Sequence, residues 1–397
     1  MNIRYYLAKI KKIKTKDLCA IFPMALAFVI SPFYRKRNRN VWIICEREDE
    51  ARDNGYHFFK YMVSEHKEQK CIYAIKKNAC DYLKVKKLGP TVEYGSFLHW
   101  ILYFSCECVI SSQGFAPNNY LAVALNEIGI KHPCRVYIQH GILNADIEAL
   151  YAERKKCDYF IAGAEQEIDY LINVFGYKRN MIELLGLTRF DALHELEVKK
   201  NRILVMPTWR VWLKQEGEEC NSYDEEIMSS SYMRAWKNLL GSKRIDEMIK
   251  NYNLDIVFIL HPNMKKMLVR ESVFNENIRY VDVAKGDLQE FLKTSQLLIT
   301  DYSSIFFDMA YMKKPTICYQ FDEEKFRKYQ FGEGWLNFHE TRMAKLCVND
   351  KEVLDELEVC IYNGFKVSSE FIEEHRKTFP IYDAKNCERT YKFIKEL

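Results

Sequence analysis

Cys-x-x-Cys pairs are absent although the chain holds 13 cysteines, and Cys106-Glu107-Cys108 is spaced too tightly for the usual zinc knuckle, so no structural metal site is expected. No GxxxxGKS/T loop occurs and no GxGxxG follows the first apolar run, which removes support for nucleotide hydrolysis and dinucleotide redox chemistry. A GxSxG nucleophile elbow is also missing. There is no fixed-period repeat and no low-complexity tract, so solenoid and disordered classes are set aside. An unbroken apolar run of about 20 residues, the length of a comfortable membrane span, is lacking too. Residues 18–34 are uncharged, but Pro23 and Pro32 interrupt them. Acid is scarce at this end: in the first 40 residues Asp17 stands alone against ten Lys and Arg.

What is present describes a folded protein. A chain of 397 residues exceeds one hydrophobic core, and 48% hydrophobic with 29% charged residues is an ordinary globular balance, so two domains are expected. The odd cysteine count, and thiols set in apolar runs such as Ile43-Ile44-Cys45, indicate reduced, cytosolic cysteines. Residues 1–40 are expected to attach to a membrane from one side, with apolar residues in the interface and Lys and Arg on anionic headgroups. A signal peptide lacks a visible cleavage site. A buried helix of the first domain is the other reading.

From residue 41 apolar runs alternate with longer helical stretches, the mark of βαβ units and parallel sheets. Runs at 41–45, 71–75, 108–110, 135–138, 159–162 and 182–185 make a first α/β domain over 41–195. A charged hinge follows. Runs at 203–206, 256–260, 278–281, 297–300 and 316–319 make a second over 196–385, with a helix at 386–397. Two such domains bring the carboxyl ends of both sheets to one cleft, where ligands of open parallel sheets bind.

Candidate chemistry sits at the strand exits. Ile138-Gln139-His140-Gly141 delivers a histidine suited to act as general base on a hydroxyl, and Gly141 lets backbone approach a phosphate. A structural histidine is the alternative. Leu260-His261-Pro262-Asn263 delivers a second histidine, which Pro262 keeps from the αR region, to face developing phosphate charge. An ordinary strand-ending turn would look the same. In Thr300-Asp301-Tyr302-Ser303-Ser304 a buried strand enters a polar turn that opens a helix, a placement that suits an anion. Asp308 lies on the face of Ser304 and, being repelled by a diphosphate, suits ligand hydroxyls or the orientation of His140 or His261. A capped core helix accounts for this segment equally well. Pro207-Thr208-Trp209-Arg210 offers a bidentate phosphate clamp in Arg210. Arg189, near the domain junction, suits an ion pair or a ligand contact.

In this order the motifs resemble those of the CDP-glycerol glycerophosphotransferase family of teichoic acid and capsular polymer synthesis. Gln139-His140-Gly141 resembles its first histidine motif, Pro207 to Arg210 its strand exit, His261-Pro262 its second histidine, and Thr300 to Ser304 with Asp308 its donor site; residues 51–55 also match. The resemblance implies a GT-B-like pair of Rossmann-like domains and transfer of a polyol-phosphate without metal or other cofactor. The partners implied are a CDP-activated donor, a lipid-linked or saccharide acceptor and the anionic cytoplasmic face of the cell membrane, with no nucleic acid. His140 and His261 would be catalytic; Gly141, Thr208, Arg210, Asn263, Ser303, Ser304 and Asp308 would bind the donor. Gln139 and Ile142-Leu143-Asn144 depart from the family's Trp-His-Gly-Thr-Pro and leave acceptor and polyol undefined. A glycosyltransferase using a nucleotide sugar, or a membrane-bound scaffold without turnover, are the other functions this architecture allows.

Overall fold

The computed structural model describes residues 15–115, 117, 118, 121, 125, 129, 130, 133–195, 197–213, 230–260, 275–282 and 288–397, and the statements below concern these. Two all-parallel sheets stand in sequence. The first joins β1 (Val41–Cys45), β2 (Lys70–Ile75), β3 (Thr91–Glu93), β4 (Cys108–Ser111), β5 (Cys134–Tyr137), β6 (Tyr159–Ala162) and β7 (Ile182–Leu184) in the order β3-β2-β1-β4-β5-β6-β7. The second joins β8 (Arg202–Val205), β9 (Asp255–Leu260), β10 (Arg279–Asp282), β11 (Leu297–Thr300), β12 (Thr316–Tyr319) and β13 (Lys345–Cys347) as β10-β9-β8-β11-β12-β13.

Both orders reverse direction beside their first strand, between β1 and β4 and between β8 and β11. Such switch points open a crevice at the strand exits. The edge strands β3 and β13 are three residues each and carry no apolar run of the expected length. Central strands are legible because helices cover both faces: Trp42 and Ile44 enter one core and Ile43 and Cys45 the other. A further cluster crosses the domain boundary, setting Ile142, Leu187 and Phe190 against Leu204, Phe306 and Tyr311. The rings of Phe190 and Tyr311 lie 4.2 Å apart.

The amino-terminal segment corrects one expectation. Pro23 and Pro32 do not break it: a helix runs over Ile21–Asn38. Pro23 falls in the first turn, where no intrahelical donor is needed. Pro32 cannot donate to the Phe28 carbonyl, and the Ser31 hydroxyl does so instead at 2.9 Å. Residues Asp17–Asn38 are long and apolar enough to cross a membrane by length and composition. One side of the helix nevertheless packs on the protein. Ala27 is buried, Phe28 meets Phe104 edge-on at 5.3 Å, and Asn38 Nδ2 donates to Ser105 Oγ at 2.8 Å.

The helix Asn386–Glu396 returns to the first domain. Cys387 and Ile394 join its core, Tyr391 meets Trp42 and Phe393 meets Tyr159. Asp191 receives the helix start from outside, accepting from Asn386 N, Asn386 Nδ2 and Cys387 N at 2.8 Å each. Gly186, at φ +79°, leaves room for it: a Cβ there would lie 2.1 Å from Asn386 Oδ1. Asp191→Ala should therefore loosen the last helix and lower stability by about 1–3 kcal/mol, seen as an earlier urea midpoint. An unchanged midpoint would show that the apolar contacts alone hold the helix.

Candidate active site

β5 leads through Ile138 into a turn whose geometry is set by Gln139. This non-glycine residue sits at φ +36°, a left-handed conformation that costs about 1–3 kcal/mol. The surroundings enforce it. Gln139 Nε2 donates to Ile161 O at 3.0 Å and Glu167 Oε2 at 3.1 Å, and Gln139 O accepts from Asn54 Nδ2 at 2.9 Å. Glu167, fully buried, also accepts from Gly163 N at 2.8 Å and Leu143 N at 2.6 Å. It clamps both shoulders of His140-Gly141. Burial pushes its carboxyl up to about 7 against the pull of these donors.

Arg189 lies behind the loop, buried, on the turn Thr188–Leu193. Its Nε and Nη2 make a bidentate pair with Asp308, at 2.9 Å to Oδ1 and 2.7 Å to Oδ2. Its Nη1 donates to Asp53 Oδ1 at 3.0 Å and to the His140 carbonyl at 2.7 Å. Asn54 completes the junction by accepting from Arg189 N at 2.9 Å. Burial disfavours the Arg189 charge, but Asp308 and Asp53 outweigh it and hold the guanidinium protonated. Burial likewise lifts Asp53 to about 6, against Arg189.

Arg210 takes a different place from the phosphate clamp its position suggests. It is wholly buried, with Nε and Nη2 on Asp322 at 2.8 and 2.9 Å and Nη1 on Asp301 Oδ2 and Thr208 O at 2.8 and 2.7 Å. These bonds use four of its five donors and tie together the exits of β8 and β11. Asp301 also accepts from Thr208 N and Tyr302 N at 2.9 and 2.6 Å. The Thr208 hydroxyl is buried and makes no hydrogen bond. The Asp308 carboxylate pairs with Arg189, which in turn donates to the His140 carbonyl.

The two halves meet at Gly141. A Cβ on Gly141 would lie 3.1 Å from Ser304 Oγ, so a side chain there would press on that hydroxyl across the domain boundary. His140, Gly141, Ser304, Arg189 and Asp308 are thus brought together, with half-buried Ser303 alongside. His261 and Asn263 lie outside the described residues. The His140 ring opens onto the cleft, yet crowding by protein and then the charges of Arg189, Lys155 and Arg47 push it down to about 4. It is neutral at neutral pH, the form that accepts a proton. The residues that depart from the family motif dock on the second domain: Trp335 Nε1 donates to Leu143 O and Leu336 N to Asn144 Oδ1, both at 2.8 Å. Among the described residues no group of three or more His, Cys, Asp or Glu is arranged to hold a metal.

Two Rossmann-type sheets whose strand exits meet across one cleft, with a histidine-glycine turn against a serine turn, define a GT-B-like two-domain α/β protein. The family model of CDP-glycerol:poly(glycerophosphate) glycerophosphotransferase matches residues 26–396, and the chain belongs to that family. It is 28% identical over 396 residues to the minor teichoic acid biosynthesis protein GgaB of Bacillus subtilis (strain 168), covering 98% of this chain and 43% of that protein. The teichoic acid ribitol-phosphate polymerase TarL of Staphylococcus aureus is 25% identical over 57% of this chain and 39% of its own length. The chain therefore spans less than half of these curated relatives. The structure of the wall teichoic acid polymerase TagF superposes with TM-score 0.69 at 16% identity, over 99% of this chain and 97% of that one, and shares the fold.

Arg189→Lys cannot reproduce the fork on Asp308 and leaves that buried carboxylate poorly paired. A loss of about 3–5 kcal/mol is expected in thermal or urea unfolding, and Arg189→Met with Asp308→Leu should recover much of it by removing both charges. A single variant as stable as the parent would refute the assigned weight of this pair.

Proposed function

We propose that the chain transfers a glycerol-phosphate, or another polyol-phosphate, from a CDP-linked donor to a lipid-linked or saccharide acceptor in teichoic acid or capsular polymer synthesis. The observation that carries this is the meeting of His140-Gly141 from one domain with Ser303-Ser304 from the other. A base and a hydroxyl-rich anion seat then face one reacting centre. Membership in the family supports the choice of donor, as do the names of its teichoic acid relatives and the crystal structure of a TagF variant soaked with CDPG.

In the proposed step an acceptor hydroxyl loses its proton to His140 and its oxygen bonds to the donor's β-phosphorus. The bond from that phosphorus to the bridging oxygen breaks, and CMP leaves with the electron pair. Ser303, Ser304 and Gly141 would receive the diphosphate, and His261 and Asn263 would join them as the family motif implies. Arg189 and Asp308 position the His140 backbone without touching the donor. Arg210 and Asp301 keep the donor-side turns in register.

The membrane reading has its own support. Leu18, Phe22, Val29 and Phe33 are exposed at helical spacing, Phe22 by 75% and Phe33 by 85%, and exposed Arg35, Lys36, Arg37 and Arg39 follow. The opposite face is held by the protein at Ala27, Ser31 and Asn38, which supports the reading of a helix lying along the cytoplasmic leaflet. Replacing Phe22 and Phe33 by Ser should cut co-sedimentation with anionic vesicles about tenfold or more, and salt should weaken the parent's binding. Equal sedimentation of variant and parent would sink this placement.

Turnover is tested by offering CDP-glycerol, CDP-ribitol and several nucleotide sugars with a lipid-linked or saccharide acceptor and following CMP. CMP from a CDP-polyol is expected; turnover of a nucleotide sugar alone overturns the proposal. His140→Ala should lower the rate about 10²- to 10⁴-fold while CDP-glycerol still binds. Because the pKa of His140 is depressed, its basic form persists well below pH 6.5 and is lost only as pH nears about 4. The acid limb of kcat/KM should lie correspondingly low.

A further inference from the structure

A cleft of about 710 Å³ opens beside His140 entirely within the first domain. Its walls are the exit of β1 at residues 46–49, the exit of β4 at 113–115, β5 at 135–137 and the segment around 147–155; of the acids at the β1 exit, Glu48 pairs with Lys76, Glu46 accepts from three backbone N–H groups, and Asp49 is exposed. It therefore occupies the β1/β4 switch point, and the donor-side serines are not part of it. Its volume suits a small ligand or the end of a polymer.

The cations on its wall differ in how they are used. Arg135 donates to Lys156 O and Tyr103 Oη. Arg154 pairs with Glu148, and Arg47, on the exposed rim, stands 3.7 Å from Glu50. Lys155 has no carboxylate partner among the described residues. Its Nζ donates to the Gln113 carbonyl and sits 3.7 Å over the Tyr137 ring and 5.4 Å from that of Phe115. An ammonium carries three donors, and this contact uses one. The two ring faces and the Gln113 carbonyl hold the ammonium in place at the cleft wall and leave its other donors for a ligand. Burial lowers Lys155 to about 8, which leaves it mostly charged at neutral pH, and its charge reaches His140.

We propose that this cleft seats the terminal phosphodiester of the acceptor, and that Lys155 binds its phosphate so that the adjoining polyol hydroxyl faces His140. The inference rests on the transferase reading above and adds where the acceptor's end sits and which side chain holds it. The chemistry of that reaction supplies the anion: each transfer creates a phosphodiester one polyol away from the new terminal hydroxyl. An acceptor that has been extended once thus presents a single negative charge at short range behind the group to be deprotonated. A cation beside the base, and separate from the donor seat, matches that spacing of charge and hydroxyl.

The test uses a glycerol–phosphate–glycerol diester as probe, with diglycerol as its uncharged counterpart, and calorimetry on the full chain. The parent should bind the diester. Lys155→Met should weaken it about tenfold or more, Lys155→Arg should restore it, and neither should alter diglycerol. CDP-glycerol affinity should stay unchanged in Lys155→Met. Failure of the parent to bind the diester, equal binding by Lys155→Met, or a parallel loss of CDP-glycerol would each overturn the proposal. If Lys155→Met does not fold, acetylation of Lys155 in the parent, followed by mass spectrometry, decides: the diester should slow it and diglycerol should not, and equal labelling refutes the assignment. Absence of CMP release from CDP-polyols would instead defeat the transferase reading, and the diester measurement would still decide what Lys155 binds.

Discussion

The buried guanidinium of Arg189 is the constraint on which the rest of the site depends. It spans the two domains, taking Asp53 from the first and Asp308 from the second, and spends another donor on the His140 carbonyl. A guanidinium suits this task because its donors are fixed in one plane, so satisfying Asp308 bidentately also fixes where the remaining nitrogen points. Such a cluster adds little net stability relative to apolar packing, since desolvation offsets much of the attraction. What it supplies is a defined distance between the base-bearing loop and the helix that begins at Ser304. The apolar contact of Phe190 with Tyr311 holds the domains together; the ion pair sets their register.

The second domain repeats this device for another purpose. Arg210 also lies between two carboxylates, but Asp301 and Asp322 belong to its own domain, so the cluster stiffens a switch point and couples nothing across the cleft. Tyr302, stacked on Phe326 at 3.7 Å, closes the same cluster from the side. The turn that presents Ser303 and Ser304 is therefore rigid before any ligand arrives. Preformed polar groups of this kind need no reorganisation when charge develops on a bound phosphate.

Central strands and the two-sheet α/β architecture were legible in the sequence because they depend on local patterns: apolar runs buried on both faces and polar residues where the runs end. Edge strands β3 and β13 were not, since Thr91-Val92-Glu93 and Lys345-Leu346-Cys347 are short and begin on polar residues, whereas the equally short edge strand β7 lies in the run Ile182 to Leu185. The buried partners of Arg210 and Asp308 were hidden for a related reason. A charged residue at a strand exit looks the same whether it meets a ligand or a buried partner, and Asp322 is 112 residues away from Arg210 while Arg189 is 119 from Asp308. Glu167 gave no sequence signal at all, for nothing in a helix start marks it as the clamp of Gln139. Asn54 was closer to visible, lying in the 51–55 segment that matches the family, but its bond to a carbonyl 85 residues on is a tertiary fact.

The departure at residues 142–144 acquires a physical meaning from these contacts. A Cβ on Gly334 would come within 2.2 Å of Asn144 O, so the second-domain chain passes directly over the loop that follows His140. Leu143 and Asn144 answer it with a carbonyl for Trp335 and an amide oxygen for Leu336, while Ile142 enters the interdomain core. With Gln139 replacing an aromatic residue on the other side, the loop gains a bond to Glu167 that an indole could not make in the same way. Both substitutions act on the backbone around His140 and leave the imidazole free. The altered neighbours thus bear on how the His140 backbone is held and on what packs above it.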